Sequence, residues 1–138
     1  MKRLIAAALL TLASLSPAAA DDAPAVKVAK ILETTKTTIG QPLVLPAKDP
    51  QLIVSTYDIA PGARLPRHKH PFARYAYVLQ GDLTVEYETG QTQHYRAGDF
   101  IVEAIGTWHF GMNSGSTPVR LLVIDQVEAG KSNTILAK

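Results

Sequence analysis

Histidine is scarce in this chain, with four residues among 138, and two of the four stand one position apart as His68-Lys69-His70. On extended backbone, side chains alternate between two faces, so His68 and His70 share one face and Lys69 points away. A third imidazole, His109, follows the turn-forming Gly106-Thr107-Trp108 on a later segment. Two imidazoles from one strand and a third from a distant one form a rigid site for a divalent metal ion. The next position with the parity to join them holds Arg74 where a carboxylate would be the easier ligand. Arginine stays protonated and has no lone pair to offer a metal. The fourth histidine, His94, lies between Gln93 and Tyr95 and is expected at a rim.

The elements that must position these residues are strands. From Val26 onward, runs rich in Val, Ile, Leu, Thr and Tyr are separated by Pro, Gly, Asp and Asn, with no sustained helical period. The candidates are Val28 to Glu33, Leu52 to Ile59, Arg74 to Leu79, Thr84 to Glu88, Thr92 to Tyr95, Phe100 to Glu103, Trp108 to Met112 and Val119 to Val127. The close, regular turns predict a small antiparallel sandwich or barrel. Leu83 to Tyr95 reads as a hairpin turning at Thr89-Gly90. The Pro-rich stretch Lys36 to Pro50 reads as an extended arm held only by packing. In the tail, Thr134-Ile135-Leu136 could add a short strand, to its own sheet or to that of a second subunit.

Residues 1–20, MKRLIAAALLTLASLSPAAA, combine a basic start, a short apolar run and a small-residue end. This is the pattern of a secretory signal peptide cleaved near Ala20, and it predicts a periplasmic or secreted mature chain of residues 21–138 forming one domain. Lys2 and Arg3 account for two of the fourteen basic residues, so twelve remain against twelve acidic ones. That balance gives no electrostatic reason to expect nucleic acid, or an anionic membrane for the mature form. The absence of cysteine excludes disulfides and thiol nucleophiles. Neither a phosphate-binding loop nor a Gly-x-Ser-x-Gly elbow occurs.

With these residues in place, the chain resembles a small single-domain cupin. Gly62, ARLPR, His68-Lys69-His70, PFA, Arg74, YAYVLQ and Gly81 match every anchor of that superfamily's first motif except its glutamate, whose place Arg74 takes. Gly98, DFIVE, Ala104-Ile105-Gly106, TW, His109, FGM and Asn113 match the second motif in all but its proline. The motif core is thus residues 62–113. The resemblance implies an all-β, antiparallel jelly-roll barrel. It also implies a divalent metal ion (iron, manganese, nickel or zinc) on His68, His70 and His109, turn glycines at 62, 81, 98 and 106, and a homodimer.

Three readings of Arg74 stand side by side. It clamps an anionic ligand, such as a carboxylate, that completes the coordination of a tri-histidine metal. Alternatively it turns to pair with Glu86, Glu88 or Glu103, or else the metal site has decayed. Glu103 itself reads as a strand-end charge. By parity, Tyr75, Tyr77 and Leu79 face outward, as do Trp108 and Phe110, while Ala76, Val78, Ile101 and Met112 are candidates to line an apolar cavity. The functional expectation is a metal protein that binds, and as an enzyme would transform, a small anionic molecule by oxygenase- or isomerase-like chemistry. The alternatives are a non-catalytic binding module and a structural protein acting through its outer sheet.

Overall fold

The computed structural model describes residues 26–138; the expected signal peptide and its cleavage point near Ala20 lie outside the described residues. Among the described residues, nine strands follow in order: β1 (Pro50–Ile59), β2 (His68–Lys69), β3 (Ala73–Gln80), β4 (Asp82–Tyr87), β5 (Thr92–Arg96), β6 (Phe100–Val102), β7 (His109–Met112), β8 (Val119–Glu128) and β9 (Ile135–Leu136). They form two antiparallel sheets, in orders β1-β8-β3-β6 and β5-β4-β7-β2-β9. This is the expected all-β jelly-roll barrel. The hairpin of β4 and β5 turns at Gly90, as its alternation predicts.

The core lies between the two sheets. Ala76 and Val78 of β3 meet Leu83 and Val85 of β4, Ile101 of β6, and Leu121 and Val123 of β8, all buried. Burial of such aliphatic side chains contributes roughly 1.5–3 kcal/mol each for the larger ones. On the outer face of β3, Tyr75 and Tyr77 pack against Phe100 instead, with ring centroids 6.2 and 6.5 Å apart, in keeping with their parity. Trp108 and Phe110 also lie outside, under Lys69 and Arg64 respectively.

The four expected turn glycines all have positive φ. Gly81 is the most constrained: a Cβ there would approach the Pro118 carbonyl oxygen to 2.5 Å, on top of a φ of 78°. A side chain at that position is excluded by both backbone conformation and space.

Two expectations are corrected. Val28 to Glu33 forms no strand, because it has no partner strand: Val28 and Ile31 remain 88% and 63% exposed. The Pro-rich arm is held by specific hydrogen bonds as well as by packing. Thr38 N–H donates to the Val102 carbonyl (2.8 Å), and Gln41 exchanges two hydrogen bonds with the Ile105 backbone, at 2.8 and 2.9 Å. Through Ile105, the arm pins the turn that leads into His109. The tail adds its short strand to its own sheet, with β9 pairing to β2.

Candidate metal centre

The three motif histidines converge. His68 and His109 are register partners on β2 and β7, so their side chains leave the sheet on the same face. His70 follows β2, where its carbonyl accepts the Gly106 N–H at 2.8 Å. The rings form a nearly equilateral triangle with centroid separations of 4.8, 4.6 and 4.9 Å, and all three are buried. His94 stays outside this group, exposed on β5 and hydrogen-bonded to the Thr84 hydroxyl.

A carboxylate joins them, and it belongs to Glu103. Its Oε2 lies 3.0 Å from His70 Nε2 and 3.2 Å from His109 Nε2. Ligand atoms of His68, His70, Glu103 and His109 all fall within 4.8 Å of one another. Glu103 directly follows β6, and its N–H donates to the Arg74 carbonyl at 2.9 Å. The acid is therefore delivered from the strand beside β3, next to the position where the motif would place it. Reading Glu103 as a strand-end charge is corrected on this geometry. The missed signal was parity: Ile101 points into the barrel, and Glu103 is two residues further on.

Arg74 also faces inward, but its partner is Asp125, which none of the sequence readings considered. Nε donates to Asp125 Oδ1 at 2.6 Å, and one terminal nitrogen donates to Asp125 Oδ2 and Thr134 Oγ1, each at 3.1 Å. Arg74 and Asp125 are register partners on β3 and β8. Asp125, Arg74 and Glu103 thus form a row of alternating charge across one sheet. Burial opposes the Arg74 charge, but the Asp125 hydrogen bond and the charges of Glu103 and Asp125 raise its pKa above the ordinary value. Neither of the other suggested partners, Glu86 and Glu88, pairs with Arg74; Glu88 instead accepts the Trp108 N–H at 3.1 Å and pairs with Arg67 at 3.4 Å.

The hydrogen bonds at the rear of the imidazoles determine what faces the centre. Nδ1 of His68 meets the Pro66 carbonyl at 2.7 Å, that of His70 the Asn133 carbonyl at 2.6 Å, and that of His109 the Thr107 carbonyl at 2.9 Å. A carbonyl only accepts, so each Nδ1 carries the proton, and in its neutral form each ring directs an Nε2 lone pair toward the others. His70 Nε2 is buried without a hydrogen-bond partner. Nitrogen lone pairs and a carboxylate oxygen therefore confront one another at 3.0–3.2 Å with no proton of their own to share. Only a cation relieves that arrangement, either a proton taken up by the cluster or a metal ion, and the four donors suit a divalent ion.

Burial, opposed by the Pro66 hydrogen bond and reinforced by the neighbouring His109 and His70, lowers the His68 pKa to about 4. That keeps its lone pair free at neutral pH. Burial would raise the Glu103 carboxyl, but in the metal-free protein protons taken up on His109 and His70 beside it, with the charge of Arg74, hold it well below the usual range.

The cluster opens onto a cavity of about 30 Å³ walled by Leu83, Val85, Ile101, Leu121 and Val123, with Tyr57, His68, Arg74, Tyr87, Glu103 and His109 as its polar members. Of the expected wall residues, Ile101 is present. Ala76 and Val78 are buried in the core but do not line the cavity, and Met112 is half-buried elsewhere.

Comparison with known proteins agrees with this fold. The cupin domain family matches residues 55–125, just over half of the chain. The chain is a cupin. Germin-like protein 5-1 of Oryza sativa subsp. japonica is 39% identical to this cupin over 74 residues, which cover 50% of the chain and 34% of the relative. The chain thus matches only about a third of that protein's length. A double-stranded β-helix protein of Klebsiella pneumoniae superposes with a TM-score of 0.54 at 22% identity, covering 82% of this cupin and 98% of that structure. An oxalate oxidase in complex with the substrate analogue glycolate superposes with a TM-score of 0.53 at 24% identity, over 62% and 46% of the two chains. At these identities the structural likeness bears on the fold.

Proposed function

We propose that this cupin holds one divalent metal ion on His68, His70, His109 and Glu103 and binds a small carboxylate beside it, as an oxygenase-like enzyme of the periplasm or extracellular space. The observation that carries this reading is the convergence of three Nε2 lone pairs on the Glu103 carboxylate, with His70 Nε2 buried and unpartnered. A bound ion would supply Lewis acidity and open coordination positions for a ligand.

Charge supports an anionic ligand. Glu103 and Asp125 carry two negative charges, Arg74 one positive, and the three imidazoles none, so a dication leaves the centre with one net positive charge. A monoanion neutralises it, which matters in a buried site where unpaired charge is costly. Arg74 lines the cavity and adds to the attraction, although two of its nitrogens are already engaged by Asp125 and Thr134. The small volume limits the ligand to a few heavy atoms. The glycolate-bound oxalate oxidase shows a compact carboxylate held on the same fold. Apolar walls on one side of the ion and charged groups on the other would orient such a ligand, with its carboxylate toward the metal. The leader-like residues 1–20 support export. The homodimer belongs to the same reading, supported by Leu52 and Val54, which are 64% and 61% exposed on the edge strand β1.

The test is to load the protein with Mn²⁺ or Fe²⁺ and follow the metal's spectrum, together with oxygen uptake, on addition of glycolate, oxalate or formate. The expected result is a saturable spectral change with at least one of these carboxylates, and oxygen consumption with those it oxidises. A metal-loaded protein whose spectrum no carboxylate perturbs contradicts the ligand assignment. Binding without turnover across a wider panel of small acids assigns it instead to the non-catalytic class.

A further inference from the structure

The C-terminal segment is attached to the rest of the molecule by strand pairing and by hydrogen bonds to groups of the candidate metal centre. After β8 the chain returns across the start of β2 and β3, and its one buried residue beyond Gly130 is Asn133, 4% exposed. The Asn133 carbonyl accepts the His70 Nδ1 proton at 2.6 Å. Its side-chain nitrogen donates to Asp125 Oδ1 at 2.6 Å and to the Ala73 carbonyl at 3.3 Å, while its side-chain oxygen accepts the Phe72 N–H at 2.8 Å. Thr134 accepts from Arg74 at 3.1 Å. Ile135 and Leu136, by contrast, remain 44% and 58% exposed. Little apolar burial holds this tail down. Its docking depends on polar bonds: β9 pairs with β2 and the Ala137 N–H donates to the Arg67 carbonyl at 2.9 Å, while the bonds of Asn133 and Thr134 reach a metal-facing imidazole and the Arg74–Asp125 pair as well as the Phe72 and Ala73 backbone.

A carbonyl behind a ligating imidazole sets which nitrogen carries the proton and fixes the ring's orientation, and loss of such an outer partner typically weakens metal binding about 10–100-fold. In Asn133→Ala the carbonyl behind His70 Nδ1 remains, but it loses the side-chain hydrogen bonds to Phe72, Ala73 and Asp125 that hold it in place, and Asp125 loses a donor. We infer that Asn133 is a positioning residue and that residues 132–136 are a clasp: docking of the tail and ion binding at the centre favour each other. This rests on the metal reading given above. If the two are coupled, the dependence is reciprocal: tail loss weakens ion binding by the same factor by which the ion stabilises the docked tail.

Lys131 is exposed immediately before the clasp, so trypsin can report on tail docking in the unaltered protein by releasing the peptide 132–138. Zn²⁺ is the probe. With saturating Zn²⁺, cleavage after Lys131 should slow by about 10–100-fold, and Asn133→Ala should bind Zn²⁺ weaker by a similar factor. Asn113→Ala is the control, because Asn113 is equally buried but lies at the far end of β7. It should lose stability yet bind Zn²⁺ as the wild type does. Wild-type protein that binds Zn²⁺ but is cleaved at the same rate with and without it overturns the clasp and leaves the metal centre standing, as does unchanged Zn²⁺ affinity in Asn133→Ala. Wild-type protein that binds no Zn²⁺, Mn²⁺ or Fe²⁺ overturns both.

Discussion

The two ends of the barrel each depend on a buried asparagine, and they satisfy their polar groups in opposite ways. At the end where β7 finishes, Asn113 donates to the Ile59 and Thr117 carbonyls at 2.9 and 2.8 Å and accepts the Gly115 N–H at 3.0 Å. Its own backbone exchanges hydrogen bonds with Gly62 and Ala63. Its side chain closes one chain crossing with uncharged groups, and it leaves nothing open. At the end where β7 begins, Asn133 also joins several segments, but its partners include His70 and Asp125, and next to them His70 Nε2 has no partner. Both ends carry the desolvation cost of buried polar groups. One end meets that cost with internal hydrogen bonds, and the other requires a cation. The lesson is that burial of polar residues does not itself mark a functional site; an unmatched lone pair among them does.

The comparison can be broken by substitution. The largest effect is expected from Arg74→Met, which leaves Asp125 buried without its cation and should cost about 3–5 kcal/mol in denaturant unfolding. Removing both charges with Arg74→Met and Asp125→Leu should restore much of that loss, whereas a double variant as unstable as the single one would show that the pair is not the cause. Next comes Asn113→Ala, expected to cost roughly 1–3 kcal/mol from the carbonyls and N–H it leaves unpaired, with metal affinity unchanged. A loss of metal binding there would mean that the two ends are not independent.

Acid should separate the ends further. The His68 pKa is lowered from 6.5 to about 4, so the folded metal-free protein binds fewer protons than the unfolded chain between those values. Its contribution to stability is fully present above pH 6.5 and declines as pH falls toward 4. Thermal melts of the metal-free protein should show a declining midpoint through this window, and His68→Gln should flatten that part of the profile. The smallest effect belongs to Asp58 and Arg120, an exposed pair at 2.7 Å near the Asn113 end. The double substitution Asp58→Asn with Arg120→Gln should leave the melting midpoint unchanged at neutral pH.

Much of this architecture was legible in the residues. Alternation on β3 placed Tyr75 and Tyr77 outside and Arg74 inside, and the His68-Lys69-His70 spacing placed two imidazoles on one face. The glutamate was harder to see because the acid and the base occupy neighbouring strands. Motif spacing follows the chain, whereas Glu103 meets the histidines through the pairing of β6 with β3. Parity with Ile101 marks Glu103 as inward, and parity with Val123 and Val127 does the same for Asp125. Which inward charges meet depends on strand register, set by the packing of the whole sheet. The role of Asn133 was less visible still, since it acts on His70 through a backbone carbonyl 63 residues away in sequence.

The central claim is that Glu103 completes the centre that His68, His70 and His109 begin. Titrating Mn²⁺ or Zn²⁺ into metal-free wild-type protein and into Glu103→Ala tests it most directly. The account predicts one equivalent bound tightly by the wild type, and affinity weaker by about a hundredfold or more in the variant, at or beyond the upper end of what loss of an outer-shell partner costs. Equal affinity in the two proteins, or less than about one-tenth of an equivalent in the wild type, would contradict it.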